Sequence, residues 1–411
     1  MNVMRRNALF LCFLFLFFVQ SALQADDSCR IRGQITEVPD GYAVTLFRQA
    51  GRALSELASD TVRDGRFSLD MLLPEGSGLE QCLLACDSGA FSNYFAKVWV
   101  TPGVSLKVEG DGPYPRLWRV ESPLPEQALE NALLDNSQAF DRPLCVNQGR
   151  LTRLYPHIWP AQGEERERLS AERAVLESVR DSLELELLRC DVALLERTSQ
   201  VDTAWVCALH GLAQSVYYNQ LVSSDSIRVS NLFRTRLSPA RQATPMGKEI
   251  AAFLFPPKPV VEGDAMADWE LYDTEGKQHR LSDYADGKCF LLLDFWSAGC
   301  GPCIQSFPET KSLAEEHAGE LVVLSISLDP KDLWLENSKL HEFGGPNLND
   351  LKLKVGISLR YGVNGIPHYV FVSPDGKVAK IQIGYGPGVL KAVFDQVKKE
   401  YLKGKEAAAL R

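Results

Sequence analysis

The sequence predicts a chain in three parts: a small antiparallel β-domain, a helical middle region, and a C-terminal α/β domain with a mixed sheet flanked by helices. Three observations carry that reading. Between Cys29 and about Pro115, short apolar stretches alternate with Asp-Gly and Pro-Gly turn signals at strand-like spacing. From Ser122 to Leu254 apolar residues recur every three or four positions. Beyond Pro259, apolar runs alternate with helical patterns, which argues for a mixed α/β sheet.

Taken in order, Met1 to Ala25 carries Arg5 and Arg6, the apolar run Ala8 to Val19, and small residues at Ser21, Ala22 and Ala25. That is the layout of a secretory signal peptide over residues 1–25. The run is short for a membrane span, which needs about 20 residues; an uncleaved anchor is the alternative. The expected location is therefore the periplasm or cell envelope. Export changes the meaning of the cysteines. Losing Cys12 with the leader leaves nine of the ten in an oxidising compartment. Cys82 and Cys86 would share one face of a strand. Structural disulfides and simple burial are both open for Cys29, Cys82, Cys86 and Cys145, while Cys190 and Cys289 fall on apolar faces and are expected in the core. The net charge is −9, or −11 without Arg5 and Arg6. With no basic patch interleaved with aromatics, this argues against nucleic-acid binding. There is no phosphate loop and no metal motif, and no cofactor is expected.

Residues 26–118 form the β-domain. Ile31, Gly33 and Ile35 open a strand, Asp40-Gly41 and Asp64-Gly65 make turns, and Tyr42–Phe47, Arg66–Leu69, Gln81–Cys86, Phe95–Val100 and Val104–Val108 are further strands. Such spacing suggests a sandwich or barrel. Residues 119–254 are helical. Ser122-Pro123 is a candidate cap for a helix with Leu129, Leu133 and Leu134. Leu176, Val179, Leu183, Leu187, Cys190 and Leu194 form one stripe, and Trp205, Leu209, Leu212 and Val216 another. Packing within a bundle explains these stripes; a homodimer surface is the alternative.

Phe255-Pro256-Pro257-Lys258-Pro259 is a stiff linker into the last domain, residues 255–403, with a tail at 404–411. Trp269–Leu281 holds a hairpin turning at Thr274-Glu275-Gly276. The apolar run Cys289–Phe295 reads as a strand buried on both faces, and Ile304–Ala318 as a helix. Leu321–Leu328 is the next strand, and Asp329-Pro330 the cap and first turn of another helix. Between the first strand and the first helix stands Trp296-Ser297-Ala298-Gly299-Cys300-Gly301-Pro302-Cys303. Cys300 would sit at a helix N-terminus, where unpaired N–H groups and the macrodipole favour a thiolate. Pro302 suits the first turn. Cys303, one turn on, is placed to attack a mixed disulfide on Cys300. Half a zinc site is the competing reading, but no second Cys/His pair with ligand spacing follows.

The order of strand, CxxC, helix with Pro308, Gly365-Ile366-Pro367 and closing hairpin resembles thioredoxin-fold oxidoreductases, especially exported thioredoxin-like reductases of the TlpA and ResA type. The resemblance spans roughly Pro259 to Tyr401. It implies a bend at Pro308 and a cis-proline at Pro367 beside the sulfurs, with Ile366 offering its backbone to an extended substrate. It also implies a substrate surface that includes Trp296. Asp294 stands where thioredoxins carry a buried acid beneath the resolving cysteine, which implies a base for Cys303. Gly299 departs from the Trp common at that position. His368, just after Pro367, is expected to face solvent; tuning of the thiolate or contact with substrate is the alternative. The GxI, DGxxVxL and DGxF motifs of the first domain resemble a β-domain often found ahead of TlpA-like modules in Gram-negative envelope proteins.

The resemblance thus implies an exported thiol–disulfide oxidoreductase with Cys300 as nucleophile and Cys303 as resolving thiol. The Gly301-Pro302 dipeptide of thioredoxin implies a reductase of envelope protein disulfides, apocytochrome c cysteines among its candidate substrates. Electrons would come from a membrane thiol–disulfide transporter. Two alternatives stay open: a binding protein working through its β-domain, and a peroxiredoxin-like thiol peroxidase. The peroxidase needs a Pro-x-x-x-Thr-x-x-Cys setting that Trp296–Cys303 lacks.

Overall fold

Alternating apolar positions in the first part of the chain build strands that bury every second side chain, seen most plainly in β1 (Ser28–Thr36), where Cys29, Ile31, Gly33 and Ile35 point inward. The computed structural model describes residues 28–50, 53–73, 76–87, 94–158, 160–219 and 224–409. The expected signal peptide, with Cys12, and Trp159 lie outside the described residues. By its contacts the chain divides into two units, Met1–Arg48 with Ser55–Trp205 and Gln49–Leu54 with Val206–Arg411.

In the first unit β1 is followed by β2 (Ala43–Ala50), β3 (Ala53–Thr61), β4 (Arg66–Leu72), β5 (Glu80–Asp87), β6 (Ala96–Val100), β7 (Ser105–Asp111) and β8 (Arg119–Glu121). They form two four-stranded sheets, ordered β4-β1-β7-β8 and β3-β2-β5-β6. β1 pairs antiparallel with β4 and parallel with β7, so one parallel pair interrupts the expected antiparallel pattern. Ile31, Leu69 and Leu106 from one sheet meet Val44, Leu84 and Val98 from the other in one shared core, the arrangement of a sandwich. Asp64 and Gly65 both take positive φ at the turn into β4, as a two-residue hairpin turn requires. Cys29, Cys82, Cys86 and Cys145 are buried, each in the interior of the first unit.

Gly33 has a packing role. It lies opposite Phe67 in register, and a Cβ at Gly33 would stand 1.9 Å from the Phe67 ring. Gly110 is covered in the same way by Trp118, and the two rings stack with centroids 6.0 Å apart. The glycines are the floor on which two aromatic rings lie.

Two long helices complete this unit. α1 (Pro125–Ile158) starts two residues later than the Ser122-Pro123 signal suggests, and Ser122 Oγ instead accepts from Leu124 N–H. α2 (Gly163–Arg197) returns antiparallel, tied to α1 by Asn136 Nδ2 donating to Cys190 O and Asn147 Nδ2 to Leu176 O. Its buried face differs from the stripe read in the sequence. Leu169, Leu176, Leu187, Leu188, Val192 and Leu195 face inward, while Val179 is exposed and Cys190 only half-buried.

The second unit opens with α3 (Thr203–Tyr218), whose Leu209, Leu212 and Val216 are buried as expected. α4 (Ser224–Arg236), α5 (Pro239–Gln242) and α6 (Pro245–Leu254) follow. Then come β9 (Glu270–Asp273), β10 (Gln278–Arg280), β11 (Phe290–Trp296), α7 (Gly301–Glu316), β12 (Leu321–Ser327), α8 (Lys331–Asn337), β13 (Asn347–Asn349), α9 (Ile357–Arg360), β14 (His368–Val372), β15 (Val378–Ile383) and α10 (Val389–Ala409). The strands make one seven-stranded mixed sheet, ordered β10-β9-β13-β12-β11-β14-β15. β11 pairs parallel with β12 and antiparallel with β14. Every residue of β11 is buried. Leu291, Leu293 and Phe295 enter the core on one face, and Phe290 and Leu292 pack with Leu313 of α7 and Phe394 of α10 on the other. Cys289, expected in the core, is half-buried at its edge, its Sγ donating to Gly319 O at 3.2 Å.

Gly33→Ala should force the Phe67 ring off Trp118, and overpacking of this kind costs about 1–3 kcal/mol. The measurement is the urea midpoint of the first unit; an unchanged midpoint would show that the ring can move without cost.

Candidate active site

β11 delivers the chain to the sulfurs. Its last residue, Trp296, is fully buried, and four residues later Cys300 stands as the N-cap of α7 in extended geometry, φ −95° and ψ 91°. The loop between them is pinned from two sides. Cys300 N–H donates to Ser297 O at 3.0 Å, and Ala298 N–H donates to the Asp329 carboxylate at 2.7 Å. Asp329 was expected to cap the following helix. Instead Pro330 occupies the N-cap of α8, and the buried Asp329 carboxylate reaches back to the cysteine loop because it lies two residues past β12, the parallel neighbour of β11.

Cys300 and Cys303 form a disulfide with Cα atoms 5.3 Å apart. The two sulfurs differ in access: Cys300 is 8 % exposed and Cys303 is 0 % exposed. Cys303 N–H points at Cys300 Sγ, 3.2 Å away, and Pro302 lies in the first turn, where its missing N–H is not needed. An aimed N–H and the helix N-terminus both favour negative charge on Cys300 once the bond is reduced. Gly299 and Gly301 beside it are exposed, and a Cβ at either would meet nothing within 4 Å. Pro308 lies within α7.

The Ile366–Pro367 peptide bond is cis, and Ile366 packs against the cluster of Trp296, Cys300, Cys303, Phe307 and Trp334. Trp296, expected at the substrate surface, is instead wholly inside this cluster. Its ring packs against Phe307 and Phe343, and its indole N–H donates to Asn347 Oδ1 at 3.2 Å. Trp334 donates to the same oxygen at 3.2 Å. Nothing in the sequence singled out Asn347; only the pairing of β13 with β12 brings it under two indoles.

Asp294 is 0 % exposed, and neither carboxylate oxygen has a hydrogen-bond partner. By the alternation of β11 it shares the α7-facing side with Leu292 and Trp296. In register it lies between Ser325 of β12, whose hydroxyl is likewise unpartnered, and Tyr369 of β14. Desolvation raises the Asp294 carboxyl from 3.8 to about 7, and burial also holds the Tyr369 phenol protonated. His368, expected to face solvent, is buried edge-on to Phe295 and loses its charge, its pKa lowered by burial to about 4. In register it stands opposite Phe295 of β11, and its ring lies on the same covered face of the sheet as that residue. Among the described residues no group of three or more His, Cys, Asp or Glu is arranged to hold a metal ion.

A model of the AhpC/TSA family matches residues 262–381. The thiol-disulfide oxidoreductase ResA of Geobacillus thermodenitrificans is 32% identical over 146 residues, covering 34% of this chain and 79% of that protein. The chain belongs to the ResA family of thiol-disulfide oxidoreductases. The thioredoxin-like protein YneN of Bacillus subtilis is 28% identical over 129 residues, 30% of this chain and 73% of its own. Among solved structures, the pneumococcal exposed lipoprotein thioredoxin Etrx1 of Streptococcus pneumoniae is 29% identical with a TM-score of 0.29, covering 32% of this chain and 99% of its own. The ResA-type region is thus the C-terminal third.

For this ResA-family enzyme the raised Asp294 pKa has a signed consequence. The folded state favours the neutral acid, so stability is lost as pH rises from about 4 to about 7. Asp294→Asn should therefore raise the unfolding free energy of the oxidised protein at pH 8 by on the order of 4 kcal/mol, with the gain vanishing below pH 4. Urea unfolding of both proteins across this range is the check; a gain independent of pH would refute the charged, dry site.

Proposed function

We propose that the chain is an exported reductase of disulfides in envelope proteins, acting through the Cys300–Cys303 dithiol. The observation that carries this reading is the unequal access of two bonded sulfurs at a helix N-terminus, next to a cis-proline. The Cys300 thiolate attacks one sulfur of the substrate disulfide, forming a mixed disulfide and releasing the other substrate sulfur as a thiolate that takes up a proton. Cys303 loses its proton to Asp294 through a bridging water and attacks the Cys300 sulfur. The second substrate thiol leaves, the Cys300–Cys303 disulfide is restored, and two electrons have passed to the substrate. A membrane thiol–disulfide transporter returns those electrons, and apocytochrome c cysteines are among the substrates this chemistry suits. The leader at residues 1–25 supports export, and no helix among the described residues is long and apolar enough to cross a membrane. For the peroxidase alternative, the positions of the required Pro and Thr hold Leu293 and Ser297.

The reduction potential of the couple, titrated against thiol buffers and read by alkylation gel shift, should fall near or below that of thioredoxin, about −270 mV. A value towards about −120 mV would reverse the direction and make the protein a disulfide donor. Cys303→Ser should accumulate mixed disulfides with envelope proteins on a non-reducing gel, and adding Cys300→Ser should abolish them. Adducts that persist in the double variant would assign the attack to another thiol.

A further inference from the structure

Within the first unit, a polar cavity of about 70 Å³ lies between the sandwich and the helices α1 and α2. It has room for about five waters, the size of glycine or alanine. Its charged wall consists of Lys97 of β6, Arg116 of the turn Pro115–Leu117, Glu130 and Asp141 of α1, and Asp191 of α2. In β6, Ala96, Val98 and Val100 enter the sandwich core, so Lys97 and Trp99 stand on the opposite face. Trp99 fixes the direction of that face, its indole N–H donating to Glu130 Oε1 at 3.3 Å. Most of the wall is tied up internally. Arg116 pairs with Asp141, whose other oxygen accepts from Ser137 Oγ. Gln127 accepts from Trp99 N–H at 2.9 Å and donates to Lys97 O at 3.1 Å. Two groups are left over. Among the described residues, neither the Lys97 ammonium nor the Asp191 carboxylate has a hydrogen-bond or ion-pair partner, and the two do not pair with each other. Asp191 Oδ1 is closed off, so a ligand reaches this carboxylate at Oδ2.

We propose that this cavity binds a small α-amino acid as its zwitterion, with the ammonium on Asp191 and the carboxylate on Lys97. Two unused charges of opposite sign on one small cavity select against a ligand of single charge. A cation alone is repelled by Lys97, and an anion alone by Asp191 with Glu130 nearby. A molecule that carries both charges a short distance apart forms a charge-assisted hydrogen bond at each end and leaves neither wall group unpaired. A metal ion is the poorer fit, since among the described residues no three His, Cys, Asp or Glu are arranged to hold one. The Arg116–Asp141 pair and the tied Gln127 amide hold the rest of the wall in place, so little of it has to be ordered when the ligand enters. The site uses no group of the Cys300–Cys303 reaction and stands independently of the reductase reading. It gives the part of the chain outside the ResA-like region a task of its own.

The test is equilibrium dialysis of the full chain against radiolabelled glycine and alanine. It is run at slightly alkaline pH, where Asp191, raised by burial to about 6, is ionised. At least one of the two amino acids should bind saturably, one molecule per chain. Methylammonium and acetate, the two halves of the ligand, should each compete about tenfold more weakly or less, because each makes only one of the two charged contacts. Lys97→Met and Asp191→Asn keep the shape of the wall, and each should weaken binding about tenfold or more. Thiol–disulfide exchange at Cys300 should be the same in both variants as in the unaltered chain, which shows that they fold. Absence of saturable binding by either amino acid would overturn the site. Competition by methylammonium or acetate as strong as that by unlabelled glycine would make it a single-charge site and overturn the zwitterion. Undiminished binding in either variant would place the amino acid elsewhere and overturn the assignment as well.

Discussion

Burial of β11 on both faces is the constraint on which the second unit depends. A strand with no wet side needs partners on both edges and cover on both faces, and each requirement recruits an element. β12 and β14 supply the edges; α7 and α10 cover one face, while Val260, Leu271, Tyr361 and Val370 lie against the other. Because β11 leads straight into the cysteine loop, the same packing that holds the strand also sets the height and direction of the sulfurs. The parallel neighbour contributes twice, through its ladder and through the Asp329 carboxylate that holds Ala298 N–H.

The site gathers groups that favour charge at Cys300 and disfavour it at Asp294. Around Cys300 are a helix N-terminus and an aimed N–H; on the same strand face as Trp296, Asp294 has no partner and a pKa near neutrality. An acid kept this dry weakens the fold at neutral pH, and its retention in a strand otherwise apolar is a local conflict of the kind functional sites show. His368 behind the cis-proline is uncharged at neutral pH for the same reason, a lack of solvent.

Much of the site was legible because its chemistry is local. Cys300 and Cys303 are one helical turn apart, Pro302 and Pro308 lie in the same helix, and Gly365-Ile366-Pro367 is a continuous triplet. What escaped depends on distant pairing. Asn347 sits in a three-residue strand too short to show periodicity, and its role exists only once β13 lies beside β12. Asp329 looked like a cap by sequence, yet its partner is Ala298, 31 positions away along the chain. Trp296 and His368 were misplaced because an aromatic or a histidine near a reactive cysteine reads as surface, whereas strand register turns both inward. In the first unit, β3 has Ala, Leu and Glu, residues of helical preference, and becomes a strand through its place beside β2. The stripe on α2 was rotated because its charged and apolar residues are mixed on every face, and α1 decides which of them are covered.

The shared acceptor at Asn347 has a consequence for how this protein can change over generations. Both lone pairs of one oxygen are used by the indoles of Trp296 and Trp334, and the amide nitrogen is spent on Ser338 Oγ at 2.8 Å. Replacing Asn347 alone strands two donors at once, and replacing either tryptophan alone leaves a hole beside Cys303. No single step away from the trio is cheap, although a coordinated change of all three could be. Inheritance therefore treats residues from two strands and a helix as one character, and the neighbourhood of Cys303 is shielded from drift by having every small departure lead downhill.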